Sequence, residues 1–279
     1  MAARPAPGAV ARLLIEYDGT DFYGWARQPG RRTVQSELER ALGVLLRRDD
    51  IQLTVAGRTD AGVHALAQVA SYLGRPAPVR GLNALLDDDV AVLACEAAPA
   101  GFSARRDATT RAYRYRLLAR SARGPFERRT ALHWPYPLDL DALQACAAAV
   151  IGTHDFTAFT PTETDHVWFR RHVLAARWER DRVHPDRVHF RIEADAFMRS
   201  MVRVLVGTML EVACGRRTVA AFVALLDGRR RPEAGVTAPA SGLTLVGVGY
   251  GGRRVLPEPG VDESERAQTG QMFDSTEPL

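Results

Sequence analysis

Lysine is missing altogether: all 37 basic residues of the 279 are arginine. No glycine-rich phosphate loop ending in lysine exists, which excludes a Walker-type nucleotide hydrolase. So uniform an absence reads as a compositional bias of the whole chain rather than a feature of one site. Cysteine is scarce: Cys95, Cys146 and Cys214 are odd in number, far apart and form no CxxC pair. That argues against a disulfide framework and a zinc site, and it favours a reducing cytoplasm. Apolar runs are short, none approaching the ~20 residues that cross a bilayer. The N-terminus, MAARPAPGAV, has one arginine and no apolar core, so it does not read as a signal peptide. The seven histidines are scattered, with no pair at metal-ligand spacing beside a carboxylate. Gly247-x-Gly249-x-Gly251 ends a strand-like run but opens no helix, so it is not a dinucleotide fingerprint.

What is present is a basic body with a normal hydrophobic share, long enough for one large domain or two of ordinary size. The formal net charge is +4, yet residues 257–279 carry six acidic residues against Arg266 alone and stand at −5. Residues 1–256 are therefore at +9, a balance that suits a polyanionic partner. Arginine presents a planar fork of donors suited to phosphate, and it stacks on bases.

Apolar spacing predicts a strand over Val10–Tyr17, a turn at Asp18-Gly19-Thr20, and a helix over Val34–Leu46 capped by Thr33. Phe22 and Trp25 read as packing residues, while Tyr23, Arg27, Gln28, Arg31 and Arg32 are candidates to meet nucleic acid. Strands are predicted over Ile51–Val55, Ala67–Leu73 and Val90–Ala97, with a short helix at Val79–Leu86. Pro99–Asp107 lacks periodicity and marks the boundary between two halves. Beyond it, Thr110–Ala119 alternates, leaving Arg111, Tyr113 and Tyr115 on one face and Arg114 and Arg116 on the other. A helix capped by Asp139 runs to about Val150, two strands cover Val173–Glu179 and Val188–Ala194, and Phe197–Cys214 is helical. A helix capped by Thr218 reaches Leu226, and a last strand spans Leu243–Tyr250. Strands and helices recur in similar order on both sides of that boundary, which implies two α/β halves with a cleft between them. Residues 1–107 form the N-terminal half, 108–255 the C-terminal half, and 256–279 an acidic tail expected to be disordered.

The chemistry concentrates in AGRTDAGVHA, Ala56 to Ala65, where Gly57 and Gly62 bracket Arg58, Thr59 and Asp60. Two readings fit the spacing: a hairpin turn in which Asp60 caps its own backbone, or a carboxylate and a guanidinium delivered to a ligand. Arg203 adds weight to the second. It lies at the margin of the apolar arc of its helix, where it either snorkels to solvent along its own stem or faces inward and needs an anionic partner, for which a carboxylate such as Asp60 is a natural choice. His64, four residues after Asp60, would join it only on a helix, which Gly62 disfavours. LLIEYDGT resembles the opening strand of haloacid-dehalogenase-type phosphohydrolases, but Glu16 stands where their nucleophilic aspartate belongs and their later lysine has no counterpart.

The ordered set of motifs resembles the tRNA pseudouridine synthases of the TruA type from about Leu13 to Tyr250. IEYDGTDFYGW, RTVQSELERAL, AGRTDAGVHA, TRAYRYRL, GTHDFTAF, AFMRSMVRVLVGTM and APASGLTLVGVGY follow one another in the family's order. The resemblance implies an α+β fold, two α/β halves with mostly antiparallel sheets flanked by helices and meeting at a central basic cleft. It further implies isomerisation of uridine to pseudouridine at positions 38, 39 and 40 of the tRNA anticodon stem-loop, without metal or other cofactor, by a homodimer. It implies that Asp60 is the catalyst, that Tyr113 stacks on the target base, and that Arg203 pairs with Asp60. Arg58 would hold the tRNA while the nucleotide leaves the stack. Arg27 and Thr59 would assist in substrate binding, and the arginines at 31 and 32 would contact phosphate. Attack of Asp60 on C1′ or on the base, or abstraction of the 2′ proton, all require an ionised, positioned carboxylate. The chain departs from the family at Asp87, where proline is usual, at Arg199 and Ser200, where aromatic or histidine residues are common, and in the loop from Thr162 to Arg171. The competing expectation is an RNA-binding module that keeps the scaffold without catalysis; against it stands an aspartate that would weaken binding to a polyanion.

Overall fold

A computed structural model describes residues 8–164 and 167–257. The acidic tail expected over 256–279 lies, beyond Pro257, outside the described residues. The first strand, β1 (Val10–Tyr17), and the first helix, α1 (Val34–Leu46), have the limits their apolar spacing predicts. Thr33 starts α1 by accepting the Ser36 N–H at 3.3 Å, and Arg47 ends it in the left-handed conformation. Val34, Leu38, Ala41 and Leu42 form the buried stripe between those caps. Next come β2 (Thr54–Val55), β3 (His64–Leu73), α2 (Val79–Asn83), β4 (Val90–Ala98) and β5 (Ala108–Leu118). They are followed by β6 (Leu132–His133), α3 (Leu140–Ala149), β7 (Gly152–Asp155), β8 (Arg170–Arg180) and β9 (Arg187–Ala194), then α4 (Met201–Ala213), α5 (Val219–Val223) and β10 (Leu243–Tyr250). Asp139 and Thr218 cap α3 and α5 through the Ala142 and Ala221 amides.

The class is α+β. All ten strands join one sheet in the order β4-β1-β3-β10-β5-β9-β8-β7, with β2 beside β3 and β6 beside β5. Pairing is antiparallel except β10 with β3 and β6 with β5. The last strand thus lies between β3 and β5, and the sheet runs unbroken across the boundary expected near residue 107. β10 also places Leu245 opposite both Ala65 and Tyr113, so the residues just after the Asp60 loop lie two strands from the tyrosine.

The helices share one face of this sheet. Leu13 and Ile15 of β1, Tyr115 and Leu117 of β5 and Phe190 of β9 form with α1, α3 and α4 a single core cluster. Each such large apolar side chain contributes about 1.5–3 kcal/mol by leaving water. A small cluster on the other face holds Leu14, Ala67, Val69 and Ala104, the last from the aperiodic segment after β4.

Several expectations change: β6 was not predicted, and the helix expected over Val79–Leu86 ends at Asn83. Of the strand predicted over Ile51–Val55, only Thr54 and Val55 pair with a neighbour. The strand β7 was not predicted, its four residues being too few to show a period. The helix predicted from Phe197 begins at Met201, because Ser200 takes a left-handed backbone, φ 58 and ψ 3, that a helix does not accept.

Candidate active site

The Asp60 loop is tied at its root before it reaches the site. Arg111 on β5 is buried and donates through Nε and Nη2 to the carbonyl of Ala56, at 3.1 and 2.7 Å. Its other donors reach the carbonyls of Ala108, Asp195 and Arg105. Burial lowers the pKa of this guanidinium. One side chain therefore fastens the loop's root, the segment between the halves and the approach to α4. Gln68, fully buried on β3, donates to the carbonyl of Gly57 at 2.9 Å and to the Tyr17 hydroxyl at 3.3 Å.

Further along, Thr59 turns inward. Its hydroxyl pairs with that of Tyr17 at 2.8 Å, and its carbonyl accepts the Trp25 N–H at 3.0 Å. Gly24 permits this approach, since a Cβ there would fall 2.8 Å from the Thr59 carbonyl oxygen. The loop then reverses at Gly62, whose φ of +78° suits glycine. His64 is no part of the loop: it opens β3 and is buried, Nδ1 accepting the Gly19 N–H at 3.0 Å and Nε2 facing the carbonyls of Arg129 and Ser241.

Those ties leave the Asp60 side chain projecting, 29% exposed, toward the start of α4. Arg203 Nη1 donates to Asp60 Oδ2 at 3.1 Å, and Ser200 Oγ donates to the same oxygen at 2.9 Å. Asp60 Oδ1 accepts no hydrogen bond among the described residues. Arg203 is itself anchored, Nε donating to the Ala238 carbonyl at 2.8 Å while its own carbonyl accepts the Ala238 N–H at 3.0 Å. Apart from Arg203 and Glu211, every residue of α4 is buried, which is why its arginine has one direction left to take.

Tyr113 shares this environment. It is buried, packs edge-to-face against Phe197 at 5.1 Å between ring centres, and its hydroxyl makes no hydrogen bond among the described residues. Burial pushes its phenol pKa well above the usual range, with the nearby Tyr17 hydroxyl and Asp60 adding to the effect, so it stays a neutral phenol. Tyr17 is likewise pushed up to about 12 by burial, against the opposing bonds from Thr59 and Gln68.

Of the residues singled out in the sequence, Asp60 and Arg203 are in direct contact and Tyr113 lies beside them. Arg58 is exposed, with no hydrogen bond or ion pair among the described residues. Thr59 faces the interior, so its hydroxyl holds the turn. Arg27 is bound to the buried Glu39 carboxylate, its guanidinium still largely exposed. Arg32 is drawn to Asp89, Asp87 and Glu37, the second of these being the departure noted after Leu86, and lies over the Phe22 ring. Arg31 stacks on the exposed Tyr23 ring at 4.4 Å. Sequence reasoning missed Ser200, Phe197 and Gln68 as parts of the site. A serine before an apolar helical run would have moved the predicted helix start to 201, though not revealed the bond to Asp60. Among the described residues no group of three or more His, Cys, Asp or Glu is placed to hold a metal ion.

The site is thus a carboxylate tethered by one oxygen beside a neutral buried tyrosine, in an α+β chain with a basic body. A model of the tRNA pseudouridine synthase family matches residues 13–100 and 146–251, stretches that include Asp60 and Arg203 but not Tyr113. The tRNA pseudouridine synthase A of Frankia casuarinae is 45% identical over 249 residues, 86% of this chain and 88% of that protein. Those of Geobacillus sp. (strain WCH70) and Bacillus subtilis (strain 168) are each 39% identical, over 86% of this chain and 97% and 98% of their own lengths. The chain belongs to the tRNA pseudouridine synthase family, a family of isomerases.

Proposed function

We propose that this protein converts uridine to pseudouridine at positions 38, 39 and 40 of the tRNA anticodon stem-loop, with Asp60 as the catalyst. The observation that carries this reading is the asymmetry of Asp60: Arg203 and Ser200 hold Oδ2, and Oδ1 is left to meet the substrate. The reaction breaks the N1–C1′ bond, turns the uracil and rejoins it through C5. Substrate and product are isomers, so no oxidant or group donor enters the balance. The carboxylate serves as the anionic partner in the glycosidic step, and Arg203 and Ser200 orient it. Tyr113 supplies a neutral ring for the target base to stack on, with a phenolic proton at its edge. Arg58, exposed two residues before the catalyst, is free to fill or brace the gap left by the extruded nucleotide. Arg27 and the residues around it add phosphate contacts, and Thr59 acts through the shape of the turn. The two halves, 1–107 and 108–255, contribute Asp60 and the Tyr113–Arg203 pair respectively, and the protein works in the cytoplasm as a homodimer.

The test is to incubate the protein with unmodified tRNA isoacceptors and map pseudouridine at each position. Product confined to positions 38–40 in wild type, and lost in Asp60→Ala with tRNA binding kept, is the expected result; the loss is at least about 10³-fold. Product formed by Asp60→Ala sinks the assignment of the catalyst. Tight binding without any product from wild type identifies an RNA-binding module instead.

A further inference from the structure

We propose that Ser200 is a positioning residue of this reaction: with Arg203 it clamps one oxygen of Asp60 and so aims the other at the substrate. The proposal rests on the reading of Asp60 as the catalyst. Among the described residues only Arg47 and Ser200 are non-glycine residues with positive φ. Arg47 closes α1, where a left-handed cap is an ordinary ending. Ser200 instead stands at the start of α4, where a capping serine has extended backbone and accepts an amide from the first turn. It has neither property: its backbone is left-handed and its side chain makes no capping bond.

Both departures oppose folding, since a residue with a Cβ resists this conformation and the helix start goes without its usual side-chain acceptor. The neighbourhood nevertheless enforces them. Met201 N–H bonds the Met198 carbonyl at 3.2 Å, the Thr160 hydroxyl bonds the Arg199 carbonyl at 3.2 Å, and the Ser200 carbonyl accepts the Val204 N–H at 3.0 Å. What the strain achieves is the direction of one hydroxyl, which leaves the helix and meets Asp60 Oδ2 at 2.9 Å. Strained residues that persist cluster where function needs the geometry.

The second donor comes from the same rigid start of α4, one turn further on. Arg203 alone, bonded through a single nitrogen, would let the carboxylate swing about that contact. Two donors converging on Oδ2 from different directions fix its rotation, and Oδ1 is then held in one place.

Three variants test this. Ser200→Gly accepts the left-handed backbone without strain, so its Tm matches or exceeds that of wild type. It lacks the hydroxyl, so kcat on saturating tRNA falls about tenfold or more, while KM stays within about twofold. Ser200→Asn tolerates the same backbone and brings an N–H donor, and it restores most of the rate. A merely structural serine would show the reverse pattern, with rate following stability. A readout independent of turnover is the 13C resonance of the Asp60 carboxyl carbon in specifically labelled protein. It moves in Ser200→Gly and returns toward its wild-type place in Ser200→Asn. An unmoved resonance together with unchanged kcat in Ser200→Gly overturns the proposal. If Asp60→Ala is inactive while Ser200→Gly is unaffected, the Ser200 proposal fails alone; if Asp60→Ala stays active, the catalyst reading fails and takes this one with it.

Discussion

Asp60, in the loop before β3, and Glu193, on β9, are two carboxylates with opposite surroundings. Glu193 is fully buried on the face away from the helices; one oxygen accepts the Val255 N–H at 2.8 Å and the other the Leu256 N–H at 3.0 Å, with Arg254 at 3.6 Å. Asp60 is partly exposed, and both of its donors meet on a single oxygen. A carboxylate with both oxygens engaged can only fasten the chain, and Glu193 fastens the segment after β10 across the sheet. A carboxylate with one oxygen engaged is oriented yet still able to react. The difference lies in where the donors stand: backbone amides, one per oxygen, in the first case, and two side chains of one helix start in the second.

With Asp60 kept, Arg203→Ala should produce the largest change. It removes the cationic donor and drops kcat by about 10²-fold or more, with tRNA affinity little altered; single-turnover assays and binding titrations measure the two. Glu193→Ala should do the converse. It removes the acceptor of the buried Leu256 amide and of the half-buried Val255 amide, lowers stability by about 1–3 kcal/mol in urea unfolding, and leaves the rate per folded molecule unchanged. If both variants lost rate and stability alike, the contrast between a fastening and a reacting carboxylate would collapse.

A smaller effect is expected from His189, which shares the Glu193 face. Burial, then the charges of Arg114, Arg191 and Arg116, push its pKa from 6.5 down to about 4, against the opposing pull of Glu179, while Asp181 lies 3.7 Å away. The unfolded chain therefore takes up this proton first. Stability from this group is complete above pH 6.5 and is lost as pH falls through about 4. His189→Gln should flatten that part of the stability profile, and a profile unchanged by the substitution would mean that His189 titrates normally. The smallest effect on folding belongs to Arg58→Ala, within about 0.5 kcal/mol. Its consequence should appear in RNA binding, where the slope of log affinity against log salt falls by about 1.

Much of the architecture was legible where the signal is local. β1 and α1 end where their apolar periods end, and Thr33, Asp139 and Thr218 cap the helices they precede. β6 and β7 were not legible, because strands of two and four residues owe their existence to β5 and β8 alongside. In the site, the margin position of Arg203 on an otherwise apolar helix called for an anion, and the structure supplies Asp60. Thr59 looked like a substrate contact because it adjoins the catalyst, yet its hydroxyl answers to Tyr17 on another strand. Ser200 carried only the signal of a helix cap, and its bond partner lies 140 residues away.

The amino-acid order by itself determined the helices and most strands, the basic body, the motif order that marks the family, and the pairing of an arginine with an aspartate. Each of these follows from periodicity, capping or charge within a short stretch, or from motifs matched one by one. Only the tertiary structure decided that β10 would close one sheet through both halves, that Arg111 would knot the root of the Asp60 loop, and that Ser200 would bend against its own preference to reach Oδ2. Those outcomes depend on which distant groups remain to satisfy a buried donor or acceptor once the core is packed, and no local pattern carries that information.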